Sequence, residues 1–135
     1  MNDFDKWNEI KKDIEEKKEV FIKEGDVWFC FVGKNVGREQ NGIGDRFIRP
    51  VLVIKKFNNE IFWGIPLSSK QKALDFYYNF TDPKNNEVAA IIAQLRIFSA
   101  KRFARKIYKL DKTHFAAVQR LVASTVGVYK NEPLP

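Results

Sequence analysis

The hydrophobic period of this chain changes twice, at Gly25 and again at Asp111, and the layout follows from those two changes. Ahead of Gly25, Phe4, Trp7, Ile10 and Ile14 recur at steps of three and four, the spacing of one helical face. The segment Asn2–Glu19 therefore reads as an amphipathic helix, capped by Asn2 or Asp3. From Gly25 the pattern becomes short aromatic and β-branched runs divided by turn residues. Asp26–Val32, Val51–Phe57, Ile61–Leu67, Phe76–Phe80 and Val88–Ile92 read as strands, with a last one near Ala104–Tyr108. Pro50 is placed at a strand start, where its missing N–H costs least. After Asp111 the helical period returns. Asp111 suits the N-cap, Phe115, Val118, Leu121, Val122 and Val126 form the buried stripe, and Gly127 suits the position past the end. Five to seven short strands closed by one helix predict a mostly β fold, a small curved sheet or partly open barrel. Residues 1–24 then form a helical extension and 25–135 the barrel domain.

The length of 135 residues suits one core, and 12 Phe, 4 Tyr and 3 Trp supply it. No apolar run approaches the ~20 residues of a bilayer span, and no basic-then-apolar leader follows Met1. A cytoplasmic protein without a membrane is expected. One Cys and one His exclude an internal disulfide and a Cys/His zinc site, and no cofactor is expected. Charge is uneven. Residues 1–24 hold six Lys against eight acids, a net of −2, and 25–135 hold eighteen bases against nine acids, a net of +9. A body at +9 favours a polyanionic partner. On charge alone, such a partner and plain solubility stand level.

Familiar catalytic patterns are missing. The glycines of Gly33–Phe47 lack the strand–turn–helix setting of a phosphate loop. His114, in the first turn of the last helix, reads as a solvated or capping residue. Instead, several short pieces follow one another in order: Gly25-Asp26-Val27-Trp28, then Gly37-Arg38-Glu39-Gln40-Asn41-Gly42, then Arg49-Pro50-Val51-Leu52-Val53-Ile54. Pro66-Leu67-Ser68-Ser69-Lys70, Ala93-Gln94-Leu95-Arg96 and Lys109-Leu110-Asp111 complete the series.

This ordered set resembles the PemK/MazF-type toxins, the endoribonuclease half of toxin–antitoxin pairs, over about residues 25–127. The resemblance implies an SH3-like barrel packed by a C-terminal helix, usually as a homodimer. It implies cleavage of single-stranded RNA at short sequences without a metal, and an antitoxin protein as partner. Arg49 matches the family's catalytic arginine before proline. Ser68 falls where the family usually has threonine. Glu39 and Gln40 match the loop over the RNA, and Gln94 and Arg96 match the segment that supports the site. Ser69 and Lys70 belong to the RNA contact by the same resemblance.

Such residue types suit metal-free RNA cleavage, in which the ribose 2′-OH is the nucleophile. Arg49 offers a fixed fork of donors to phosphate oxygens, and aimed stabilisation of that kind is often the largest catalytic term. Ser68 can donate a further hydrogen bond. Glu39 can accept the 2′-OH proton or hydrogen-bond a base, and both roles stay open. Two departures from the family pattern matter. Six residues, Ile43–Ile48, separate the loop glycine Gly42 from the Arg49-Pro50 pair, a longer approach than many family members have, and serine lacks the β-branch that restricts threonine. A weakened nuclease and a non-catalytic nucleic-acid- or protein-binding module of the same fold both stay open.

Overall fold

The computed structural model describes residues 21–33 and 47–127. The expected helix at Asn2–Glu19 and the Glu39-Gln40 pair lie outside those residues. Among these residues seven strands appear in order: β1 Asp26–Phe31, β2 Ile48–Lys56, β3 Ile61–Ser68, β4 Tyr77–Thr81, β5 Glu87–Ile91, β6 Arg96–Ser99 and β7 Phe103–Lys109. Helix α1, Lys112–Val126, follows. Short 3-10 turns, Ile92–Gln94 and Ala100–Arg102, flank β6. All pairings are antiparallel. The order is β4-β5-β3-β2-β1-β7, with β6 on β3, so the sheet is open, with β4 and β7 at its ends.

Strand β3 is forked. Its first half, Ile61–Gly64, pairs β6, while Leu67 and Ser68 pair β5. The chain crosses between these partners through the Ile92–Gln94 turn.

The alternation of each strand divides the apolar residues between two faces. Val27, Leu52, Ile54, Ile65 and Leu67 pack with Leu110 and Val118 under α1. Cys30, Val51, Val53, Phe62, Phe98 and Phe103 pack on the other side, joined by Ile22. Burying aliphatic or aromatic side chains of this size contributes ~1.5–3 kcal/mol each. Helix α1 begins where expected, because the Asp111 carboxylate accepts the His114 N–H at 3.1 Å, a cap worth ~1 kcal/mol. It ends at Gly127, whose φ of 106° glycine adopts without strain.

Several expectations need correction. Pro50 is the third residue of β2, not its first. It pairs Phe29 on β1 but stands one residue ahead of the β2–β3 ladder, which starts at Val51, so no hydrogen bond is lost on that side. Strand β6 was not expected, and β7 runs from Phe103 to Lys109 rather than Ala104–Tyr108. Val126, the last residue of α1, is exposed rather than buried. The His114 ring is half-buried and shares a 2.6 Å hydrogen bond with the Tyr78 hydroxyl, so it is neither solvated nor a cap.

Candidate active site

Adjacent strands bring one row of residues level at an end of the sheet. Phe103 on β7 faces Cys30 on β1, and Cys30 faces Arg49 on β2. Carried two residues past its last pair, Val51 with Pro66, the β2–β3 register brings Ser68 level with Arg49. By strand alternation Arg49 and Cys30 share the face of Val51 and Phe62. Arg96, paired with Gly64, and Ser68 lie on that face too.

Arg49 is 7% exposed. Its Nη1 donates to Gln94 Oε1 at 3.2 Å. Its Nη2 is buried and has no hydrogen-bond partner among the described residues. Burial lowers its pKa, the Arg96 charge lowers it further, and Tyr77 opposes both. An arginine titrates so far above neutrality that the guanidinium keeps its charge. The result is a fixed cation, with one nitrogen anchored and the other short of an acceptor. Leaving such a donor unmatched is costly, and an anionic oxygen would relieve that cost.

Arg96 adds a second charge. Its guanidinium lies 4.6 Å from the Phe98 ring centroid, and its field lowers the pKa of both Arg49 and Arg102, in each case after burial. Gly64 makes this stacking possible. A Cβ there would stand 2.5 Å from Val51 Cγ1 and 2.7 Å from Phe98 Cδ2.

Ser68 is buried, and its Oγ accepts the Lys70 N–H at 3.0 Å. That bond uses a lone pair and leaves the hydroxyl proton free to be donated. Ser69 and Lys70 are exposed at the start of the following loop. Gln71 fixes that loop by donating to the carbonyls of Phe80 and Val88, at 3.2 and 2.9 Å. Asn79 holds it again through the Lys72 carbonyl at 2.9 Å.

The fold brings Arg49, Gln94 and Arg96 together and sets Ser68 on the same face, just ahead of the exposed Ser69 and Lys70, whereas Glu39 and Gln40 fall outside the described residues. Sequence reasoning overlooked Tyr77. Only the β3–β5–β4 register reveals Tyr77, and the Arg96–Arg102 relation depends on β6. Cys30 is level with Arg49 yet inert, because burial raises its thiol pKa far above the ordinary value and Arg96 offsets this only partly. His114 is engaged by Tyr78 and stands 3.9 Å from Asp111, with no serine in the cluster. Among the described residues, no group of three His, Cys, Asp or Glu side chains can hold a metal ion. No described helix is long and apolar enough to cross a membrane.

The family model described as PemK-like, MazF-like toxin of type II toxin–antitoxin system matches residues 23–126. Among solved structures, the fold is similar to MazF from Deinococcus radiodurans, with 20% identity, 81% of this chain and 99% of that chain covered, and a TM-score of 0.63. MazE–MazF from the same organism gives 18% identity, 82% and 99% coverage and a TM-score of 0.63. The Mycobacterium tuberculosis toxin MazF-mt6 gives 11% identity, 78% and 99% coverage and a TM-score of 0.59. No curated protein matches in sequence.

Proposed function

The chain belongs to the PemK-like, MazF-like toxin family of type II toxin–antitoxin systems, and on that footing we propose that it is a sequence-specific, metal-independent endoribonuclease acting on single-stranded RNA. The observation that carries this reading is the Arg49 fork, with Nη1 tied to Gln94 and Nη2 buried without a partner among the described residues.

In the proposed reaction the ribose 2′ oxygen attacks the adjacent phosphorus. The O2′–P bond forms, the P–O5′ bond breaks, and a 2′,3′-cyclic phosphate remains. The 2′ proton passes to a base, and the departing O5′ takes up a proton. Arg49 donates from Nη2 to a non-bridging oxygen, where negative charge grows in the transition state. Ser68 donates its hydroxyl to the same phosphate, Gln94 holds the fork, and Arg96 holds a neighbouring phosphate. Glu39 acts as the base or reads a nucleobase, with Gln40 beside it; Ser69 and Lys70 follow the backbone.

An antitoxin partner is part of the same reading. A MazE–MazF complex and a mycobacterial endoribonuclease with its cognate antitoxin share this fold. A homodimer in the cytoplasm completes it, by kinship with the family.

The test is incubation of purified protein with single-stranded RNA in EDTA, followed by mapping of the RNA ends. Cleavage at a short sequence, cyclic phosphate ends and a loss of at least ~10²-fold in Arg49→Ala are expected. A protein that binds RNA but yields no new ends is a binding module. Cleavage only with a divalent metal refutes the mechanism.

A further inference from the structure

The face that carries Arg49 continues across β5 onto β4. Ser68 pairs Ala89, and Ala89 pairs Asn79, so Ser68 and Asn79 point to the same side. Tyr77, two residues before Asn79, shares that side. The backbone joins Tyr77 to the Arg49 anchor as well. Tyr77 pairs Ile91, and the Ile92 N–H donates to the Phe76 carbonyl at 2.8 Å, at the base of the turn that carries Gln94. The proximity of Tyr77 to Arg49 is also felt in the titration of Arg49.

An aromatic surface is built there. Phe76 meets Tyr77 edge-on, with ring centroids 5.3 Å apart, and Lys72 Nζ lies 5.9 Å from the Tyr77 centroid. Phe76 is 38% exposed and Leu74 44%. The two loop anchors, Gln71 and Asn79, hold this surface in place before any ligand arrives. An exposed ring packed on half-buried Tyr77, beside a lysine and near the Arg49 guanidinium, matches a single-stranded nucleic acid, whose bases stack while its phosphates need cations. A purely apolar partner would leave Lys72 and Arg49 without counter-charge.

We propose that Phe76, backed edge-on by Tyr77 and flanked by Lys72, is the stacking platform for the nucleotide next to the phosphate held by Arg49. The proposal rests on the RNA reading above and adds a subsite to it. Phe76 presents its open face to a base, Tyr77 positions that ring, and Lys72 meets a flanking phosphate.

The test uses the full chain and a short, fluorescein-labelled, mixed-sequence RNA whose 2′-O-methyl groups prevent cleavage. Anisotropy gives Kd over a range of salt. Phe76→Ala should weaken binding about 5- to 100-fold, the scale of one lost base stack, with the salt slope unchanged. Phe76→Trp should restore the affinity, which also shows that the site tolerates substitution. Lys72→Ala should lower the salt slope by about 0.7, one phosphate contact on a single strand. Equal affinity in wild type and Phe76→Ala overturns the platform and leaves the RNA reading intact. A weakened Phe76→Ala with an altered slope, or without rescue by Trp, overturns it too. A wild-type chain that does not bind the probe overturns both.

Discussion

Arg49 Nη1 donates to Gln94 Oε1 across 3.2 Å, although the two residues are 45 apart in sequence and lie on different elements. The bond turns a flexible arginine into an aimed one. Gln94 itself is exposed, so its amide is held by geometry rather than by packing. Because the turn that carries Gln94 exists only where β3 passes from β6 to β5, the fork of the sheet and the aim of the arginine have one origin.

Gln94→Leu should therefore slow cleavage while leaving the fold intact. A hydrogen bond to a charged donor is worth ~1.5–3 kcal/mol, so single-turnover cleavage should fall about 10- to 100-fold. RNA affinity should change less, because the Arg49 charge remains. Equal losses in rate and affinity would make Gln94 an RNA ligand rather than a positioning residue.

Ser68 is tested by two substitutions. Ser68→Ala removes a hydroxyl whose proton is free, and should raise the barrier by ~1–3 kcal/mol. Ser68→Thr keeps the hydroxyl and narrows its rotamers, and should match or exceed the natural rate. Circular dichroism checks folding, and single-turnover cleavage gives the rates. Equal rates in all three proteins would remove Ser68 from the reaction.

How far the sequence foretold this arrangement depends on the element. The strands at Asp26, Val51, Ile61, Phe76 and Val88 were legible, because each is a run of β-branched and aromatic residues between turn signals. Arg96–Ser99 was not. It has four residues, its first two are exposed, and it is a strand only because β3 offers it an edge. The resemblance named Arg49, Ser68, Gln94 and Arg96 together without geometry; the Arg49–Gln94 hydrogen bond and the field of Arg96 at Arg49 link three of them, and strand alternation sets Ser68 on the same face. Tyr77 escaped because its relation to Ser68 passes through Ala89 on a third strand, which no local pattern encodes.

Alkaline pH should weaken the fold. Burial raises the thiol pKa of Cys30 and the phenol pKa values of Tyr108 and Tyr78, with Asp82 and Asp111 adding to the two phenols. Each group keeps its proton longer when folded, so its contribution is complete below the unfolded pKa and is lost as pH rises above it. The decline should begin near the ordinary values, 9.0 for the thiol and 10.0 for the phenols. Denaturant midpoints at stepped pH should fall through that window, and Cys30→Ala should fall less. Parallel curves for the two proteins would remove Cys30 as a cause.

Gly64 links stability to the site. A methyl group there would overlap Val51 Cγ1 and the Phe98 ring, neither of which is the free end of a flexible chain. Overpacking of this kind costs ~1–3 kcal/mol, so Gly64→Ala should lower Tm by roughly 3–15 °C in a chain of this size. The ring that must yield is the one Arg96 stacks on. Cleavage by the folded fraction should therefore fall as well, measured well below Tm. Adding Phe98→Leu makes room for the methyl and should recover part of the Tm. It also removes the aromatic seat of Arg96, so activity should stay low. If both Tm and cleavage returned in the double variant, the Phe98 ring would matter only for packing. If Gly64→Ala left both unchanged, the close approach of β6 to β3 would not be what holds Arg96 beside Arg49.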